Sequence, residues 1–261
     1  MSGRFSTRVL LGAARMQARL TRQKIEDLRP LLTMPPIALV SVAVLVHAGK
    51  AQLAPYGLVA AVLMTVGQMG NFVASEIVFM ERNEQTLELV VASPASYYAV
   101  LLARILVLTS LGVIGALESW LLVRICFGLH LTVHHPGLAL ATLAATSVAA
   151  AGTALLTTAL FALGNQVRTF QNAINGPLYL LGGVLVPTSF LPAWLQPLSP
   201  FVFFYWAANL LRAALSSAEV QGAAVGLASI LALGAGAALL GYGVLQRMLT
   251  RLRRSGALGL T

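Results

Sequence analysis

The sequence predicts an all-α integral membrane protein with six transmembrane helices, an N-terminal amphipathic interfacial helix and a re-entrant helical hairpin between the fifth and sixth spans. Three observations predict it. Hydrophobic residues make up 58% of the 261-residue chain and charged residues only 10%, with a mean hydropathy of +0.83, a composition foreign to water-soluble globular domains. The apolar residues fall in runs that match the roughly 20 residues a helix needs to cross the hydrocarbon core. The bilayer offers no partner to a bare peptide group, so such runs must be helices.

Residues 1–30 form the first unit. Arg4, Arg8, Arg15, Arg19 and Arg22 share one helical face, with Phe5, Val9, Ala13, Met16 and Leu20 on a neighbouring one. A guanidinium stripe beside an apolar stripe suits a helix lying in the cytoplasmic leaflet against anionic lipids; an ordinary solvated helix is the alternative. The basic stretch from Arg4 to Arg29 lacks a compact apolar core and a small-residue cleavage site, so it is expected to be retained rather than removed as a signal peptide.

The transmembrane domain is predicted over 31–246, with spans at 31–46, 56–80, 98–123, 138–163, 169–186 and 223–245, followed by a basic tail, 247–261. Pro35-Pro36 should break the first span near its start, and Pro177 should bend the fifth. On this topology one side holds all 17 Lys and Arg residues except Lys50, Arg124 and Arg212. That asymmetry places both termini in the cytoplasm of a multi-pass inner (plasma) membrane protein. The net charge of +9 therefore marks sidedness and gives no reason to expect nucleic acid.

Between the fifth and sixth spans, Pro187, Pro192, Pro197 and Pro200 cut an apolar stretch into short pieces, and Trp194, Phe201, Phe203, Phe204, Tyr205 and Trp206 suit a membrane interface. Residues 188–211 read as two short helices that dip into the outer leaflet and return. The sixth span carries Gly234, Gly236, Ala237, Gly241 and Gly243, small residues that let helices approach and could support oligomerisation.

Chemistry-bearing residues are sparse. No Gly-rich loop ending in Lys-Ser/Thr occurs, so the chain does not cradle nucleotide phosphates itself. The one cysteine, Cys126, excludes an internal disulfide. Cys126, His130 and His134 recur every four residues with His135 adjacent, but Gly128, Thr132 and Val133 fit a short external loop, and no metal is expected. Glu76 and Glu118 fall within spans, where a charge needs a partner or a watery cavity. Glu118 is read either as lining a transport pathway or as pairing with Arg124 or a neighbouring helix; Glu76 is read as snorkelling or pairing with Arg82.

The segment Glu81 to Pro94 is the most informative. As a helix ended by Pro94 it would align Glu81, Glu84 and Glu88 on one face and Leu87, Val90 and Val91 on another, making either a docking element under the membrane or a solvated loop.

Glu81-Arg82, Gln85-Thr86-Leu87-Glu88, Ser93-Pro94 and Arg104 resemble the hallmark of the permease subunits of type-two ATP-binding-cassette (ABC) exporters, including the daunorubicin-resistance-like drug and lipid exporters. A second stretch of resemblance runs through Phe170 to Pro177, Gly183 to Pro187, Leu191 to Pro200 and Leu211-Arg212. The family pattern has Gly where this chain has Gln85. The resemblance implies a coupling helix at 81–94 (Glu81, Arg82, Glu84, Gln85, Thr86, Leu87, Glu88, Pro94) and an outer re-entrant gate (Pro187, Pro192, Trp194, Pro200, Trp206). Glu118, Asn172, Asn175 and Pro177 are the candidate pathway residues. It further implies a second permease copy or related permease, and two copies of an ABC ATPase subunit that hold ATP and Mg, this chain binding no cofactor. Low internal charge favours a hydrophobic or amphiphilic cargo, a drug or lipid-like molecule. A lipid-linked glycan is the alternative cargo, and a membrane enzyme or assembly factor acting on lipids the alternative class; the latter needs clustered acidic, His or Arg residues facing one bilayer surface.

Overall fold

The computed structural model describes residues 7–86, 96–128, 132–161 and 167–255, and all regular structure among them is helical. The chain opens with α1 (Thr7–Gln23), followed by a 3-10 turn and the short α2 (Arg29–Thr33) and α3 (Pro35–His47). The expected break stands at Met34, which ends α2 and precedes Pro35-Pro36 at the start of α3; proline fits a first turn because its missing N–H would have no partner there.

The second predicted span is not one helix. It divides into α4 (Ala54–Gln68), a π-helical turn over Met69–Val73, a 3-10 turn over Ala74–Glu76, and α5 (Ile77–Asn83). The wide turn falls where the backbone is wedged between neighbours. A Cβ on Gly70 would stand 3.3 Å from both the Ala150 carbonyl oxygen and Thr109 Cγ2.

Next come α6 (Tyr97–Leu111) and α7 (Ile114–Phe127), joined through Gly112-Val113. Gly112 at the junction and Gly115 in the first turn of α7 both meet α4: a Cβ on Gly112 would lie 2.9 Å from Val66 Cα, and one on Gly115 2.5 Å from Thr65 Cγ2. α7 stops at Gly128, whose φ of 62° is the left-handed geometry that glycine adopts without steric penalty.

The remaining helices are α8 (Pro136–Phe161), α9 (Val167–Leu181), α10 (Phe203–Leu215) and α11 (Ala223–Ser255), with 3-10 turns at Thr188–Phe190 and Gln196–Phe201 between α9 and α10.

Among the described residues, four segments are long and apolar enough to cross a membrane: Arg29–His47, Tyr97–Phe127, Pro136–Leu160 and Ala223–Arg247. They coincide with the first, third, fourth and sixth predicted spans. The expected six are thus not all continuous helices among the described residues. The second is interrupted by its π and 3-10 turns, and the fifth, α9, has 15 residues. The molecule is an all-α, multi-pass membrane protein.

α8 and α11 pack backbone to backbone. A Cβ on Gly152 would sit 2.1 Å from the Gly234 carbonyl oxygen, one on Gly234 2.4 Å from Ala149 Cα, and one on Gly241 2.8 Å from Leu156 N. The small face of the last span is therefore occupied within the chain by α8. Of the pair Ala237 and Gly241, read as able to support oligomerisation, Gly241 is thus packed against Leu156 of α8. Gly236 and Gly243 have open space at their Cβ positions.

Candidate functional site

The described part of the 81–94 segment, residues 81–86, is the end of α5 followed by a turn. α5 ends at Asn83, and the N–H of Thr86 donates to the Glu81 carbonyl oxygen at 2.9 Å. That five-residue return, with the residue before it in left-handed geometry, is a Schellman cap. The left-handed residue is Gln85, with φ 56°. Glycine is the usual choice at such a position because a Cβ costs about 1–2 kcal/mol there, which gives a physical reason for the Gly of the family pattern. Glu84, beside it in the turn, is exposed, whereas Glu81 is buried, so the two do not share a face as expected. The side chain of Arg82, and Leu87, Glu88 and Pro94, lie outside the described residues.

Glu81 instead points into the protein. Its carboxylate forms an ion pair with Arg104 of α6 and accepts a hydrogen bond from the Tyr97 hydroxyl at 2.9 Å. Arg104 Nε donates to Gln17 Oε1 of α1 at 2.8 Å, and Gln17 Nε2 donates to Thr21 Oγ1 at 3.2 Å. The charged side chains are 9% (Arg104) and 8% (Glu81) exposed. A pair this buried is held by the hydrogen bonds around it as much as by Coulomb attraction, because desolvation opposes the attraction. Outside the network, Lys24 Nζ meets Glu84 Oε1 at 3.2 Å in an exposed pair.

These bonds join α1, α5 and α6 into one corner of the molecule. Sequence reasoning placed Arg104 beside the 81–94 motif but missed Gln17. The buried residues of α1 are Ala13, Gln17 and Thr21, while Met16, on the stripe expected to enter the acyl boundary, is exposed. The recurrence of a polar residue four and eight positions after Ala13 was the available signal.

Among the pathway candidates, Asn175 of α9 is buried, and its Oδ1 accepts a hydrogen bond from Asn71 Nδ2 at 2.8 Å. Asn71 lies in the π turn and was not singled out from sequence, although an Asn beside Gly70 in an apolar run is unusual. Pro177 is exposed on the same helix, and the Asn172 side chain lies outside the described residues. Glu118 on α7 does not take Arg124 as its partner in the way expected: the Arg124 guanidinium sits over the Trp120 ring at 5.2 Å, and Glu118 Oε2 has no hydrogen-bond partner among the described residues. Glu76 is half-buried.

At the other end of the bundle, Trp194, Phe190 and Phe201 are 73–77% exposed. Pro187 precedes the first 3-10 turn, Pro192 is exposed, and the Pro200 carbonyl accepts from Trp206 Nε1 at 3.0 Å. Arg212 anchors this region. Its Nη2 donates to the Gly183 carbonyl at 2.5 Å, and its guanidinium stacks 4.6 Å over Tyr56. His134 and His135 lie within hydrogen-bond distance, 3.0 and 3.1 Å, of the Leu215 and Ala218 carbonyls. Among the described residues no three His, Cys, Asp or Glu side chains gather as metal ligands; His130 lies outside them.

The comparisons with curated proteins and with solved structures return no match. A family model, ABC-2 type transporter, matches residues 11–216, from α1 through the end of α10. The chain belongs to the ABC-2 type transporter family, as one of its membrane permease subunits, which are transport components and not catalysts.

Proposed function

We propose that this chain is the permease of an ABC exporter that moves a hydrophobic or amphiphilic molecule, a drug or lipid-like compound, outward by alternating access. Six passes, counting the interrupted 54–83 path and α9, put both termini in the cytoplasm; the distribution of Lys and Arg supports this sidedness. Two copies of a separate ABC ATPase supply ATP and Mg, and a second permease copy or a related permease completes the transmembrane unit. Residues 81–94 are the segment on which the ATPase docks.

One observation carries the reading beyond the family. The 81–86 turn is fastened to the bundle by a buried ion pair and two further hydrogen bonds, while Glu84 and Gln85 remain exposed at its tip. A rigid root with an accessible tip is what transmits a push from a soluble domain into helices. The aromatic stretch 188–211 serves as the outer gate, and its exposed Phe190, Trp194 and Phe201 suit the bilayer interface.

The test is co-purification with the candidate ATPase and measurement of ATP hydrolysis, for the wild type and for a variant with Glu84 and Glu88 both changed to Arg. Loss of association or of coupled hydrolysis is expected. Stable association that ignores the double reversal refutes the docking assignment.

A further inference from the structure

α1 presents two opposed faces. At 100° per residue, Ala13, Gln17 and Thr21 form the stripe that meets α6, and Arg8, Arg15, Arg19 and Arg22 centre on the opposite side. All four arginines are exposed, and the helix contains no acidic residue to neutralise them. Leu11 and Met16, 55% and 43% exposed, flank the arginine stripe. Gly12, Arg15, Met16, Arg19, Leu20 and Gln23 line one open face of the helix on this side. Arg15 and Arg19 stand one turn apart, so both guanidinium groups can reach one phosphate, while Met16 and Leu20 offer apolar surface to an acyl chain. Arginines flanked by apolar side chains match the phosphate and acyl parts of a phospholipid.

From these faces we propose that α1 is a regulatory site for anionic phospholipid, and that its occupancy sets the order of the 81–86 turn through Gln17, Arg104 and Glu81. The route is continuous. Gln17 Oε1 accepts from Arg104, Arg104 pairs with Glu81, and the Glu81 carbonyl caps the turn by accepting from Thr86 N–H. Lys24–Glu84 adds a second, weaker tie. The coupling needs no special machinery. Helix stability comes mostly from packing of an amphipathic face rather than from propensity, an anionic surface adds to it on the arginine side, and only the helical form sets Gln17 on the stripe that reaches Arg104. A ligand that favours helical α1 therefore favours the fastened turn by linkage. Its consequence for ATP hydrolysis rests on the reading of 81–94 as the ATPase-docking segment.

The test is amide hydrogen exchange on the full chain in nanodiscs of phosphatidylcholine alone or with added phosphatidylglycerol. Exchange at 80–86 should slow in the anionic discs by about fivefold or more, the lower end of usual coupling between sites. R15Q/R19Q should abolish the difference. Q17L should keep the lipid-dependent protection of α1 but lose it at 80–86, and Q17E, which retains an acceptor for Arg104, should restore it; a merely structural role for Gln17 would not separate the two segments. Equal exchange at 80–86 in both lipids, or a full lipid response in Q17L, overturns the proposal. So does a response reproduced by inorganic phosphate in neutral discs, or arginine replacements that abolish ATPase capture while leaving the lipid response intact. The exchange readout needs no ATPase, so failure of the exporter reading would show separately, as absence of a partner with the lipid response preserved.

Discussion

Replacing Arg104 with methionine removes the cation from the corner where α1, α5 and α6 meet and leaves the Glu81 carboxylate, among the described residues, with the neutral hydrogen bond from Tyr97. Because both partners are under a tenth exposed, the value of about 0–1 kcal/mol typical of a surface pair does not apply. Breaking a buried pair from one side costs about 3–5 kcal/mol, most of it for stranding the remaining charge. Neutralising both sides strands nothing, so E81Q/R104M should recover most of that loss. The two single variants and the double then form a cycle with an interaction energy of at least about 2 kcal/mol. Unfolding of the purified chain in mixed micelles with rising detergent denaturant measures the cycle. Loss of amide protection along α1 in R104M is the second readout, since Gln17 loses its donor. An R104M variant within about 1 kcal/mol of wild type, the level of an exposed pair, or a coupling energy near zero, would show that Glu81 and Arg104 do not hold this corner together.

Three further outcomes follow from the same geometry. Gln85→Gly removes a Cβ from a left-handed position, a gain of about 1 kcal/mol set against about 0.5–1 kcal/mol of extra freedom in the unfolded chain; thermal unfolding should move little or slightly upward, while Gln85→Val should lower stability. Gly152→Ala forces a methyl against the Gly234 carbonyl and should cost about 1–3 kcal/mol or more, whereas Gly236→Ala, with open space at its Cβ, should be neutral; the same unfolding assay compares them. Asn71→Leu leaves the buried Asn175 amide without its partner and should destabilise by about 1–2 kcal/mol, with Asn71→Leu/Asn175→Leu recovering part of the loss.

What the sequence made legible was whatever depends on composition and run length. Four of the predicted spans stand as single apolar segments, and the break before Pro35-Pro36 appears where a proline pair must start a new helix. The second span misled because hydropathy averages over residues and cannot see backbone geometry. Tyr56 to Met80 is apolar enough on average to read as one span despite Gln68, Asn71 and Glu76, yet Gly70 is wedged between Ala150 and Thr109, and the helix widens there. The small residues of α11 were legible as a packing face, but the pattern does not say which helix it packs against; the answer, α8 of the same chain, depends on tertiary arrangement.

The candidate site was half legible for a related reason. Acidic residues at 81, 84 and 88 suggested one exposed face under helical periodicity, and periodicity fails once the helix ends. The end is marked by Gln85 in the left-handed region, a conformation the sequence signals only when glycine stands there. Once the chain turns, Glu81 and Glu84 part company. Glu81 is drawn inward by the cation on α6, and Glu84 stays outside with Lys24. The division suits the docking role proposed for this segment. The residue at its root must be costly to dislodge, so it carries a buried pair; the residue at its tip must be free to exchange partners, so it carries an exposed one whose net worth is about 0–1 kcal/mol.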